Sequence, residues 1–389
     1  MRKIKDADVK GKKVLVRCDF NVPLGENGEI SDDFRVRSTL PTIKWLLENG
    51  AKVILMSHLG DPKGQIVDKL KMEVVRQRLA EYLKTPVIKS QDCIGRTTED
   101  LVGQMNPGDV LLFENLRFHK EEEENDIEFA KKLSAFGDIY VNDAFGTCHR
   151  AHASIAGIPK FLPGFAGFLL EKEIDSLNKI IKSPKRPLVA AIGGAKVSTK
   201  IKLMKELLNI VDHLLIGGVL ANTILKAQGI AIGKSKVDET MMGVAKELVL
   251  TSQKIHLPLD VVTSEDISGK SEIRIKGPGA IGENELILDI GPDTLKIFKQ
   301  IIKEAAVIFW NGPMGLYEVA KFSKGTIGLA ETIATGSAYS IIGGGDVVSM
   351  LDKLDLSKEI NHISTGGGAM LAYISGEKMP GLLALEELK

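Results

Sequence analysis

Short, largely apolar runs alternate with amphipathic segments along the whole of this chain, and that alternation constrains its fold more than any other feature. The runs at 14–18, 53–56, 110–113 and 139–141 carry apolar residues at consecutive positions, as strands covered on both faces do. Segments 36–47 and 127–136 instead space their apolar residues as helices do. Strands joined through helices run parallel, so the pattern predicts an α/β fold. The second half repeats it, with strands over Leu188–Ile192, His213–Ile216, 307–310, 340–342 and 360–363, each with glycine close behind. Two Rossmann-like, doubly wound parallel sheets are implied. Between them, Leu170, Ile174, Leu177 and Ile181 keep a helical period over Phe168–Ile181, and Ser183-Pro184-Lys185-Arg186-Pro187 stops it. We therefore expect a first domain over 1–167, a connecting helix and hinge over 168–182, and a second domain over 183–381.

Composition excludes several functions. Acidic and basic residues number 51 each, so no nucleic-acid partner is expected. No apolar run approaches the ~20 residues of a membrane span. Met1-Arg2-Lys3-Ile4-Lys5-Asp6 lacks the apolar stretch of a signal peptide, so a cytoplasmic chain with no membrane partner is expected. Cys18, Cys93 and Cys148 are odd in number and widely spaced, which suggests neither a disulfide framework nor a zinc site. Most arginines lie before residue 151, and the rigid guanidinium fork suits carboxylate and phosphate, so a small anionic substrate is expected in the first half.

Polar residues collect where first-half strands end. Arg17, Asp19 and Asn21 alternate with Phe20 and Val22 on an extended segment. Arg35 opens a helix, His58 follows the second strand, Arg117 follows another, and Arg150 closes the set. Any one of them can be a surface residue or a structural ion-pair partner. Convergence of Arg17, Arg35, His58, Arg117 and Arg150 at one carboxyl edge would make a cationic bowl for a substrate carrying carboxylate and phosphate. Glu121 to Glu124 read as a solvated helix start.

The second half is a series of glycine turns. In Gly193-Gly194-Ala195-Lys196-Val197-Ser198-Thr199-Lys200 the glycines let a ligand approach the backbone, while Lys196 and Lys200 share a helix face. The plain alternative is a strand-to-helix turn with two solvated lysines. Gly217-Gly218 can seat an adenine or ribose, and Asn311-Gly312-Pro313 leads to Glu318, a carboxylate for ribose hydroxyls. Asp346, after Gly343-Gly344-Gly345, is either a helix cap or a magnesium ligand beside a polyphosphate. Gly366, Gly367 and Gly368 open a helix whose free N–H groups can hold a phosphoryl group.

Taken in order, Arg17-Cys18-Asp19-Phe20-Asn21-Val22-Pro23, Ser57-His58-Leu59-Gly60, Glu114-Asn115-Leu116-Arg117-Phe118-His119, Asn142 to His152, Gly193-Gly194-Ala195-Lys196-Val197, Trp310-Asn311-Gly312-Pro313, Gly343-Gly344-Gly345-Asp346 and Ser364-Thr365-Gly366-Gly367-Gly368 resemble the phosphoglycerate kinase family. The resemblance covers essentially the whole chain. It implies a monomeric glycolytic enzyme that moves a phosphoryl group reversibly from 1,3-bisphosphoglycerate to MgADP, giving 3-phosphoglycerate and MgATP. On this resemblance Asp19, Asn21, Arg35, His58, Arg117 and Arg150 hold the phosphoglycerate in the first domain. Gly193, Gly194, Lys196, Lys200, Gly217, Asn311, Gly312, Glu318, Gly345, Asp346 and Val347 hold ATP or ADP in the second, with Asp346 on the Mg2+ ion. Arg35, Lys200, Gly366 and Gly367 fall nearest the group in flight, and residues 382–389 return to the first domain. The chain departs from the family pattern at Asp61, where an arginine usually precedes the proline, and at Val347, where a threonine or serine is common.

A direct in-line transfer fits these residues, with hinge closure to exclude water. An NAD-dependent oxidoreductase would need a G-x-G-x-x-G turn, which is absent. A non-catalytic nucleotide-binding protein would have little use for Arg35 together with Lys200.

Overall fold

The first six strands, β1 (Lys13–Cys18), β2 (Lys52–Met56), β3 (Val87–Lys89), β4 (Val110–Leu112), β5 (Ile139–Asp143) and β6 (Gly164–Ala166), form one sheet in the order β3-β4-β2-β1-β5-β6. This computed structural model describes every residue except 183, 251 and 387–389. All pairs in the sheet are parallel. Val14, Leu15 and Val16 on β1 and Val53, Ile54 and Leu55 on β2 are all buried, which is why these strands read as continuous apolar runs. Each such side chain contributes about 1.5–3 kcal/mol by leaving water, so the central strands anchor the sheet. Strand order reverses between β1 and β5, and ligands of open α/β sheets bind beyond the carboxyl ends at such a point.

The second sheet combines β7 (Leu188–Ile192), β8 (His213–Ile216) and β9 (Ile255–His256) with β13 (Val307–Asn311), β14 (Tyr339–Gly343) and β15 (His362–Ile363). Its order is β15-β14-β13-β7-β8-β9, again all parallel, with the reversal between β7 and β13. The intervening strands β10 (Val261–Ser264), β11 (Arg274–Lys276) and β12 (Leu286–Ile290) make a separate antiparallel sheet in the order β11-β10-β12. The sequence reading does not contain this sheet, nor the short β3, β6 and β9. Strands of two or three residues are too brief to show a period.

The chain divides into two compact units. Unit 1 is Met1–Asp175 with the segment from Glu377 onward, and unit 2 is Ser176–Gly376. The division falls inside the helix Phe168–Ile181. Its first turn is tied to unit 1, where Asp143 Oδ1 accepts from the amides of Leu169 (2.9 Å) and Leu170 (3.2 Å) and Lys3 pairs with Glu171 at 2.9 Å. Farther along, Asn178 Oδ1 accepts from the Tyr373 hydroxyl at 3.0 Å, and Lys179 Nζ lies 3.7 Å from the centre of the Tyr339 ring. The returning segment forms the helix Pro380–Glu386, whose Gly381 amide donates to the Cys148 carbonyl at 3.0 Å. Among the described residues, no helix is long and apolar enough to cross a membrane.

Candidate active site

Arg17, one residue before the end of β1, is fully buried beside Asn142 of β5. Its Nε donates to Ser154 Oγ at 2.7 Å, its Nη1 donates to the Cys18 carbonyl, and its Nη2 lies 3.3 Å from His58 Nδ1. A guanidinium taken out of water requires an anion. Glu122 supplies it, fully buried with Oε1 3.9 Å from Arg17 Nη2, while accepting from the Ser154 amide (2.9 Å) and hydroxyl (2.6 Å). This corrects the reading of Glu121 to Glu124 as a solvated face. The helix is only Lys120–Glu123, too short to display a buried side by spacing, and Glu122 turns inward beneath the arginine.

The remaining first-half residues interlock around this pair. Arg35 Nη1 donates to Asp19 Oδ1 (3.1 Å) and to the Asn21 carbonyl (3.0 Å), and Asn21 Oδ1 accepts from the Gly60 amide at 2.8 Å. Arg117 Nη1 donates to the Gly60 carbonyl at 2.9 Å, and its Nε lies 3.2 Å from Glu123 Oε1. Its Nη2, although buried, has no hydrogen-bond partner among the described residues. Arg150 is exposed, with Nε 3.3 Å from His149 Nε2.

His58 belongs to the group but adds no charge to it. Burial, then the fields of Arg17, Arg117 and Arg35, hold its imidazole well below the ordinary histidine value. His152 is pushed down to about 3 by burial and by Arg17, Arg117 and Arg150. The bowl is therefore charged by arginines and lined by neutral histidines, a correction to the expectation that His58 is one of its cations. Asp61 is exposed, yet its field reaches Arg117.

In unit 2 the reversal point is built from backbone. β7 runs into Gly193 and Gly194, and β13 runs into Gly312. Gly194 and Gly312 have φ of +86° and +89°, and a Cβ on Gly312 would strike Lys200 Nζ and the Gly193 carbonyl. Lys200 lies in the helix Val197–Ile210 and leans back toward the helix start, donating from Nζ to the Gly193 carbonyl. Burial pushes its ammonium down to about 8, against the attraction of Asp346 and with the repulsion of Lys196. Lys196 does not share a helix face with it. It is the exposed N-cap residue, just outside the helix.

A cavity of about 370 Å³ opens beside these glycines, lined by Gly194, Gly218, Asn222, Lys236, Leu288, Asp289, Met314, Leu316, Glu318 and Asp346 among others. Strands β10 and β12 contribute Val261 and Leu286–Ile290 to its wall, so the sheet absent from the sequence reading shapes the site. Gly218 reaches the cavity lining, whereas Gly217 packs on Met314, whose sulfur lies 2.6 Å from where a Gly217 Cβ would stand. Val347 is fully buried in the hydrophobic core. Asn311 is occupied too, its Nδ2 donating to the Gly343 carbonyl at 2.8 Å.

Two helix starts complete this region. Gly345–Lys353 carries exposed Asp346 in its first turn, and Gly367–Ile374 begins after Gly366, whose amide donates to Ser364 Oγ at 3.2 Å. A Cβ on Gly367 would lie 3.6 Å from Gly344 Cα, so the two starts adjoin and aim free amides into one region. Glu122, Ser154, Asn222 and Lys236 are the site residues that the sequence reading missed. None sits in a glycine turn or at a strand end, the two signals that marked the others.

The family model described as phosphoglycerate kinase matches residues 4–377. The phosphoglycerate kinase of Dictyoglomus turgidum is 48% identical over 389 residues, covering 99% of this chain and 98% of that protein. The cytosolic phosphoglycerate kinase of Triticum aestivum is 48% identical over 390 residues, with coverage of 98% and 97%. Among solved structures, phosphoglycerate kinase from Coxiella burnetii superposes with a TM-score of 0.88 at 38% identity, covering 99% of this chain and 98% of that one. That from Pyrococcus horikoshii OT3 gives 0.89 at 34%, with the same coverage. An arginine bowl on one parallel sheet, a glycine-walled cavity on another, and similarity running the length of the chain together place this protein in the phosphoglycerate kinase family.

Proposed function

We propose that unit 1 holds phosphoglycerate in the arginine bowl, that unit 2 holds MgADP or MgATP in its cavity, and that the phosphoryl group passes directly between them. The observation that carries this reading is the buried Nη2 of Arg117, a donor without a partner among the described residues, on a guanidinium that also feels the fields of Arg150 and Arg17. An anion completes it. Asp19 and Asn21 hold Arg35, and His58 and Arg150 complete the set around the ligand.

In unit 2 the apolar cavity wall takes the base, Glu318 takes the ribose, and the polyphosphate lies toward Gly194 and the two helix starts. Asp346 is an exposed hard-oxygen ligand at that end, which fits magnesium held through one carboxylate and the nucleotide phosphates. A bound magnesium ion would neutralise phosphate charge there. Both reacting oxygens are already anionic, so no side chain has to act as a strong base or form a phosphoenzyme. Lys200 and Arg35, with the amides of Gly366 and Gly367, compensate the charge on the group in flight. Transfer further requires hinge closure, because the acyl phosphate must be kept from water.

A coupled assay with 3-phosphoglycerate, ATP and magnesium tests the activity, and absence of turnover overturns it. Calorimetric titration of Asp346→Ala tests the metal assignment. MgADP binding weakens while phosphoglycerate binding stays unchanged; normal MgADP binding would return Asp346 to the role of a helix cap.

A further inference from the structure

The loop after β3 and the turn after β4 meet at a cluster that phosphoryl transfer leaves unused. Asp92, Cys93 and His119 each bring one ligand atom to a common point, and these atoms all lie within 4.8 Å of one another. His119 Nε2 is 2.7 Å from Asp92 Oδ1, and its ring stacks on Phe129 with centroids 5.2 Å apart. The Asp92 loop is held as well. Its carbonyl accepts from the Ser90 and Thr98 hydroxyls, and its Oδ1 accepts from the Cys93 amide at 2.6 Å. Three donors are thus fixed before any ion arrives. Cys93 is buried while Asp92 is about half exposed, so the cluster has a dry side and a side open to water.

We propose that Asp92, Cys93 and His119 form a site for one divalent ion of the zinc class, with water as the fourth ligand. A set of carboxylate oxygen, imidazole nitrogen and thiolate sulfur selects such borderline ions over magnesium, and three protein ligands plus water is a familiar open zinc arrangement. The site is therefore chemically distinct from the magnesium that accompanies the nucleotide. On binding, the Sγ–H proton leaves to solvent and the Sγ–metal bond forms. The proton that His119 Nε2 donates to Asp92 Oδ1 is released as well, which leaves His119 with its proton on Nδ1 and its Nε2 lone pair on the metal, while Asp92 turns from hydrogen-bond acceptor to ligand. No electron is transferred. The ion ties the loop before the helix Arg96–Gln104 to the turn Leu116–Phe118 that carries Arg117, which stabilises unit 1.

Cobalt is the probe. Added to the full chain in excess magnesium, one equivalent should give a thiolate-to-cobalt charge-transfer absorption, be displaced by zinc, and raise the thermal midpoint. Cys93→Ser should abolish the absorption, and His119→Gln should weaken cobalt binding. No absorption in the unsubstituted chain, or absorption that survives Cys93→Ser, overturns the site. Should either variant fail to fold, X-ray absorption at the zinc edge of the unsubstituted chain decides. A shell with one sulfur supports the proposal, and a shell of oxygen and nitrogen alone overturns it.

Discussion

On the proposed reading, the two half-sites meet one electrostatic demand, holding a polyanion, with different materials. Unit 1 uses side-chain charge: Arg17, Arg35 and Arg117 are seated on Glu122, Asp19 and Glu123. Unit 2 uses backbone: glycine turns and helix starts present amides, and one buried ammonium rests on a carbonyl. Clustered cations in a dry site repel one another, so the first solution needs buried counter-anions and couples binding to stability. Amide dipoles carry no net charge and need none. Damage to the bowl should therefore cost folding, whereas damage to the cleft should cost catalysis.

Glu122→Ala is the strongest way to break that comparison. It leaves Arg17 buried without its anion, and removing one partner of a buried pair costs about 3–5 kcal/mol. Denaturant unfolding of the variant and the unsubstituted chain measures it. A loss below about 1 kcal/mol would mean that the bowl does not depend on its buried anion.

Lys200→Ala should show the opposite signature. Turnover falls about 100-fold or more, about 2.7 kcal/mol, while nucleotide affinity changes little, because a donor to the migrating group acts mainly in the transition state. Stability should hold or rise, since the substitution removes an ammonium that burial already disfavours. Equal losses in turnover and ADP affinity would remove Lys200 from the transferring group.

The same contrast decides what could be read from the sequence. Strand ends, helix starts and glycine turns pointed to Arg17, Arg35, Arg117, Lys200 and Asp346, because local spacing records where an element stops or begins and where a backbone must turn. Glu122 was misread because burial of one carboxylate in a four-residue helix depends on packing against Ser154 and Arg17, which are distant in sequence. The packing of Val347 into the core and of Gly217 on Met314 could not be read from the sequence for a related reason. A motif names neighbours along the chain, and the first residues of a helix alternate between core and surface within one turn. The antiparallel sheet β10–β12 stayed hidden because its strands carry polar residues and partly exposed positions, and so lack the continuous buried apolar run that marked the parallel strands.

Acid should separate the units by about 1.4 kcal/mol per pH unit for each shifted proton. His58 and His152 have folded pKa values below the ordinary one, so the unfolded chain binds more protons. Their contribution is present above about pH 6.5 and is lost as pH falls toward the folded values. Asp143 in unit 1 and Asp289 in unit 2 are raised by burial to about 7; their contribution is complete below the ordinary carboxylate value and is lost as pH rises through 7. From pH 6.5 to 5, unit 1 therefore loses the terms of His58, His152 and half-buried His149, against gains from Asp143 and from His119, which its hydrogen bond to Asp92 holds above the ordinary histidine value. Unit 2 gains from Asp289 against half-buried His256. Native-state hydrogen exchange should show β1 and β5 amides weakening on acidification more than β7 and β13 amides. Equal slopes in the two sheets would break the contrast.

The smallest effect belongs to Asp61, where an anion stands at the rim of the bowl. It is exposed and its field reaches Arg117, so it offsets part of the attraction for phosphoglycerate without entering the buried network. Exposed charge interactions are worth about 0–1 kcal/mol and weaken with salt. Asp61→Arg should then lower the phosphoglycerate KM by up to about 5-fold at low ionic strength, with the gain shrinking as salt is added and the ATP constant hardly moving. The competing possibility is that Asp61 serves only as a turn residue before Pro62, with neighbouring Lys63 supplying the rim cation; Lys63 is exposed and has φ of +54°, a conformation that belongs to the turn. A salt series on both forms separates the two. Identical KM values at every ionic strength would remove Asp61 from the site, and a matching fall in the ATP constant would show that the charge acts on the whole molecule rather than on the half-site made of side chains.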